Sequence, residues 1–303
     1  SLKKLNLFNL VNNKELHIEK ISTYNGTFDI FKDKTLPIPV NKRVPMPQDA
    51  LKNLDLAIAI DSVEVENLRI NFTSRLNASN PEGSINFQEL NATVSNIVNT
   101  ESAILENPYT IVSASTKIMG QGQLDANFNF DFSDEHNGFI FDAHLESMEA
   151  QAFNNILEAL AFVKVESGQI KDLKLEAQGD NYYAIGNMLF EYNNLKVSTI
   201  NKKNLKTKGM GTAIITFFAN AFVVKKNNPA FKFFPREGAM YYERDPQKVV
   251  IDYVTKTAIS GLISSIGARN VSKDIKKKQK AEKKQMDDER KALKKASKKS
   301  VSD

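Results

Sequence analysis

The side chains that ordinarily titrate near neutral pH are few, because the chain has three histidines and no cysteine. Two of the histidines, His136 and His144, lie close to Asp134, Glu135 and Asp142. Imidazole nitrogens beside carboxylate oxygens form a zinc-type donor set. However, His136 falls in a turn and His144 alternates with Ala143 on a strand, which is looser spacing than a ligand cluster uses. The stretch "MGQGQLD" has the glycines of a phosphate-cradling loop but strands on both sides and no helix after it, so the required context is missing. No Ser or Thr stands with a His and an acid at the spacing of a nucleophile triad. The many carboxylates occupy the polar positions of alternating strands, where solvated charge belongs. The five Asn-x-Ser/Thr matches, Asn71 and Asn91 among them, accord with chance in an asparagine-rich chain. The expectation is a protein without catalytic residues, metal or cofactor.

The elements that would position any site are more informative. "SVEVENLRINF" alternates at Val63 and Val65, inserts the polar pair Glu66-Asn67, and resumes at Leu68, Ile70 and Phe72. The figure returns in "SINFQELNATV", "GQIKDLKLEA" and "NMLFEYNNLKV", with a weaker copy at residues 16–23. A two-residue hairpin loop at each gap would want Asn-Gly-like residues, whereas three of the four pairs are Glu-Asn, Gln-Glu and Lys-Asp. A β-bulge is the preferred reading, because one extra residue bends a strand while both halves keep their apolar side chains on one face. Ordinary sandwich strands with irregular edges would produce a similar pattern. The bulge reading predicts a long curved antiparallel sheet, mainly β with helices (α+β). Its apolar concave groove is lined by Ile70, Phe72, Phe87, Val94, Phe128, Phe130, Leu175 and Phe190.

Along the chain, residues 14–33 read as a hairpin around Asn25-Gly26. The proline-dense segment "TLPIPVNKRVPMPQDA" reads as an extended connection. Strand-like sequence then runs from Leu54 to Leu145, and strands return at 164–178 and 182–199. Helical spacing predicts a helix at about 148–162. An uncharged helix at 209–224 is too short to span a membrane, which takes about 20 apolar residues. In a third helix, 246–266, Lys248, Asp252, Lys256, Ser260 and Ser264 form one polar face and the rest packs on the body. Two or three such helices would cap the groove.

The 303 residues have an ordinary soluble composition, 41% hydrophobic and 25% charged, and residues 1–272 are read as one β-groove body. The formal charge of +5 is unevenly placed. Residues 273–303 hold 13 Lys or Arg and 6 Asp or Glu, leaving 28 basic and 30 acidic of the chain's 41 and 36 in the body. No basic stripe with interleaved aromatics marks the body, so nucleic acid is not indicated. The lysine-rich tail reads as a solvated helix or disordered segment. It is expected to attach weakly and salt-sensitively to an anionic membrane surface, and its removal to leave the body's melting temperature unchanged. Ser1 is not followed by a secretory signal, so targeting information is absent or removed.

The units around "GSINFQELNATVSNI", the segment "SMEAQAFNNILEALAFVKVESGQIKDLKLEAQGD" and the end "VVIDYVTKTAISGLISSIG" with its lysines resemble the AsmA-like proteins of the diderm bacterial envelope, Bacteroidetes type, over about residues 14–267. The resemblance implies the periplasmic C-terminal portion of a protein anchored in the inner membrane by an N-terminal helix outside this chain. It also implies bent sheets forming a groove for moving phospholipid between inner and outer membranes, in outer-membrane biogenesis. From the residues themselves two functions stay open. One is a non-catalytic lipid-handling groove with acyl chains as partners. The other is a structural or partner-binding envelope scaffold whose groove is filled by its own helices.

Overall fold

The computed structural model describes residues 1–3, 14–37, 39, 41–76, 81–200, 224–230, 234–267 and 269–300. The predicted helix at 209–224 lies outside the described residues except for Val224. Among the described residues, twelve strands form one mixed, curved, unclosed sheet in an α+β fold. In chain order they are β1 (Leu2–Lys3), β2 (Glu15–Tyr24), β3 (Thr27–Asp33), β4 (Ala57–Arg75), β5 (Gly83–Val98), β6 (Tyr109–Ile118), β7 (Gly122–Asp131), β8 (Phe139–Leu145), β9 (Met148–Glu149), β10 (Val163–Gly179), β11 (Tyr183–Thr199) and β12 (Glu237–Glu243). The helices are α1 (Pro47–Lys52), α2 (Glu101–Glu106), α3 (Asn154–Ala161), α4 (Val250–Ser265) and α5 (Arg269–Ser300). From β4 to β8, and on through β10, β11 and β12, each strand pairs antiparallel with the next.

The repeated gaps are bulges within single strands. Register slips interrupt the β4–β5 pairing between Val65 and Leu68 and between Leu68 and Ile70, and the β10–β11 pairing between Ile170 and Asp172. In three of the four strong copies the second polar residue takes the left-handed conformation: Asn67 (φ 50°), Glu89 (φ 52°) and Asn194 (φ 54°). Asparagine tolerates that region and glutamate does so only with strain. Side chains tie neighbouring bulges together. Asn67 Nδ2 donates to Asn25 Oδ1 at 2.7 Å, and Asn91 Oδ1 accepts from the Asn67 backbone N–H at 3.1 Å.

The expected hairpin at Asn25-Gly26 does not form. A type I′ loop needs positive φ at both central residues; Asn25 has it (φ 54°), and Gly26 is not among the positive-φ glycines. The chain instead bends and runs on, so β2 and β3 both pair parallel to β4, opposite the two sides of its bulge. The sheet is therefore antiparallel except along this edge.

Boundaries elsewhere shift for local reasons. The predicted helix 148–162 is shorter, because Met148-Glu149 pairs with Ile170 and Gln169 of β10 and a 3₁₀ turn, Ala150–Phe153, precedes α3. The helix stops where Phe162 turns left-handed (φ 54°). Part of the proline-dense connection becomes α1, with Pro47 at its first position, where no hydrogen bond is lost. Glu101–Glu106 is a short helix inside the stretch read as strand, and β12 lies in sequence to which the periodicity assigns no element.

Candidate functional site

Residues paired across a sheet share a face, so the register shows where the apolar side chains converge. One row runs Val63, Val94, Val112, Phe128, Phe141, Ala177, Gly186 and Met240 across eight strands. Beyond the bulges a second row joins Ile70, Phe87 and Ile118, and Phe72 faces Ile85. Further pairs are Phe130 with Phe139, Leu173 with Phe190, and Leu175 with Met188. By register, the eight residues of the expected groove lining share the face of the sheet on which α3 and α4 lie. At its centre Phe128, Phe130, Phe139 and Phe141 form a square of stacked rings, with centroids 5.7–6.0 Å apart.

The protein's own helices occupy much of that face. At the bottom of the trough α3 lies so close to β5 that a Cβ on Gly83 would come within 2.8 Å of the Ala159 Cβ. Asn155 Oδ1 there accepts from the Ser84 N–H at 2.5 Å and from its hydroxyl at 3.0 Å. At the top α4 crosses β11 and β12, where Gly261 lets Met240 and Met188 approach, and Tyr253 meets Phe139 edge-on at 5.9 Å. Phe130, Leu175 and Phe190 are consequently buried in one core cluster, and Phe87 and Phe128 pack half-buried against it. Ile70, Phe72 and Val94 are half-buried.

Two apolar residues were hidden by the hairpin reading. Phe28 and Ile30 of β3 pair with Ile70 and Phe72, so they continue the concave face to the sheet edge, and they are 55% and 48% exposed. Their alternation in "TFDIFKD" was legible, but a hairpin would have put β3 against β2.

The polar ladder of α4 needs correction. Lys256, Ser260 and Ser264 point inward and are buried. The hydroxyls of Ser260 and Ser264 accept, each at 3.0 Å, from the backbone N–H groups of Tyr241 and Ala239 on β12. Small hydroxyls thereby seal an edge strand whose donors would otherwise lack partners.

The tail is not merely solvated. The first half of α5 lies on the convex side of the same sheet end, over Gln178, Ile185, Asn187 and Tyr241, which the register places opposite the Met188 face. Gln279 is buried and donates to the Gly186 carbonyl and, at 3.0 Å, to Asn187 Oδ1. Lys278 pairs with Glu243 at 3.0 Å and sits 5.1 Å from the Tyr241 ring centre. Its ammonium and the Tyr241 hydroxyl hold the Glu243 carboxyl below the usual carboxylate range.

The histidine region gives no convergent site. His136 packs edge-on to Tyr182 at 5.6 Å, while His144 lies on the convex face, its Nε2 2.6 Å from Asp172 Oδ1. Among the described residues no three His, Cys, Asp or Glu side chains converge on a metal-sized position, and no helix is long and apolar enough to cross a membrane. The aligned bulges leave a polar hollow of about 200 Å³ lined by Asn25, Asn67, Arg69 and Gln88. Scans of protein-family models, curated proteins and solved structures match nothing to this chain.

Proposed function

We propose that the chain is a non-catalytic lipid-handling protein whose trough takes phospholipid acyl chains. The observation that carries this is the unbroken apolar face from Phe28 and Ile30 through Ile70, Phe72 and Phe87 to Val94 and Phe128, with helices over its two ends. Half-covered apolar surface of that extent is costly in water, and a flexible hydrocarbon chain would offset the cost without demanding shape complementarity. Phe130, Leu175 and Phe190 already have protein partners. The acyl path therefore runs over the half-covered residues from β3 to Phe128 of β7 rather than through the buried cluster. The AsmA-like resemblance points the same way, toward the cell envelope, a periplasmic location with an inner-membrane anchor, and phospholipid passing between membranes.

A photo-crosslinking phenylalanine analogue placed at Phe72 and, as control, at Phe190 tests this. With the chain expressed in a diderm host, position 72 should crosslink phospholipid that mass spectrometry identifies, and position 190 should not. A lipid-free product at position 72, together with no phospholipid in organic extracts of the purified chain, would overturn the reading in favour of a scaffold with a self-filled groove.

A further inference from the structure

The first and last regions of the sheet meet at a seam. β3 lies at one edge and β12 at the other, yet the end of β3 reaches the start of α4, where Lys32 Nζ is 3.6 Å from Asp252 Oδ1. Lys256 approaches the other oxygen of Asp252 at 2.8 Å. The strand-like strap before α1 crosses the same gap, with the Val44 N–H donating to the Pro246 carbonyl at 2.8 Å and Arg244 Nη2 to the Val44 carbonyl at 2.6 Å.

Cationic and apolar groups concentrate there. Lys34 stands close enough to Lys32, Lys248 and Lys256 to feel their charges, and Asp252 is the carboxylate that Lys32 and the buried Lys256 share. Desolvation first, and then the charge of Lys32, lowers the pKa of Lys34. Of the nearby acids, Asp33 is matched by Arg75 at 2.6 Å, while Asp245 keeps its charge and accepts from the Gln247 N–H at 3.0 Å. Beside the lysines three apolar side chains stand in water: Leu36 is 67% exposed, Ile251 60% and Val249 47%.

We infer that this seam docks on an anionic phospholipid bilayer, with Lys32, Lys34 and Lys248 meeting lipid phosphates and Leu36, Val249 and Ile251 entering the interface. Unbalanced positive charge selects the partner: buried Lys256 matches Asp252, which leaves Lys32, Lys34 and Lys248 for an anionic surface, and apolar tips between them suit a headgroup–acyl boundary. This surface is separate from the lysines of α5. Docking does not require a lipid in the trough. Only its consequence rests on the proposed function: the opening between the sheet's two ends would then face the membrane.

The test is flotation of the full chain with phosphatidylcholine vesicles, with and without phosphatidylglycerol, for the parent, Lys34→Glu/Lys248→Glu and Ile251→Ser. The parent should bind only the anionic vesicles, less so as salt rises, and each variant should bind them about ten-fold more weakly at an unchanged melting temperature. Ile251→Ser alters no charge and removes an exposed side chain, so it keeps the test open if the charge reversal disturbs the fold. Parental binding by Ile251→Ser, or equal binding of the parent to both vesicle types, overturns the inference and leaves attachment to α5 or to nothing. Phospholipid extracted from the same preparations reports the trough separately, so loss of docking and an empty trough are distinguishable.

Discussion

At the residue scale, the bends depend on who occupies the left-handed position. Asn67 and Asn194 fit it, whereas Glu89 pays a steric cost on the order of 1 kcal/mol at φ 52°. The Glu89 side chain is exposed and its ion pair with Lys117, at 2.8 Å, is solvated, so it contributes little. Glu89→Gly should therefore raise stability by about 0.5 kcal/mol, the relief exceeding the entropy that glycine adds to the unfolded chain. Asn67→Ala should lower it by about 1–2 kcal/mol, because it loses both the favoured φ and the bond to Asn25. Urea midpoints measure both. A destabilised Glu89→Gly protein would show that the bulge is not strained there.

At the element scale, one face serves as core in some strands and as open surface in others. Phe141 and Phe128 stack at 5.9 Å, yet Phe141 is 2% exposed and Phe128 is half-buried. Phe141→Ala should cost about 3–5 kcal/mol by leaving a cavity. Phe128→Ala should cost roughly 1–2 kcal/mol, since it was never fully withdrawn from water. If the groove holds acyl chains, the order reverses for lipid: extraction of the folded proteins should find less phospholipid on Phe128→Ala than on Phe141→Ala. Equal losses in stability would place both rings in one closed core and exclude an acyl path past Phe128.

At the scale of the whole molecule, α4 and α5 hold β12 between them, one on each face. Ile185 and Ala239 are 3% and 5% exposed although they point away from the concave side, because α5 covers them. Removing residues 269–303 should expose that surface and lower the melting temperature by about 5 °C or more. Removing only 289–303 should leave it unchanged, since among the described residues the side-chain contacts of α5 with the sheet run from Lys278 to Met286. Differential scanning calorimetry of the two truncations decides this. Equal melting temperatures for the parent and the longer truncation would restore a tail independent of the body.

The period-2 alternation and its recurring polar pairs were sufficient to predict bulged strands, a curved sheet and the face to which Ile70, Phe87, Phe128 and Leu175 belong. Facing depends on backbone geometry over a few residues, and those residues carry the pattern themselves. Other outcomes needed partners distant in sequence. Whether Asn25-Gly26 turned back or ran on was decided by the edge that β4 offered. Whether Ser260 and Ser264 met water or a strand was decided by the free N–H groups of β12. Lys32 and Asp252 share no local pattern, and only the curl of the sheet brings them to 3.6 Å. Local periodicity records which side of an element is apolar, but what covers that side is set by packing between segments tens to hundreds of residues apart.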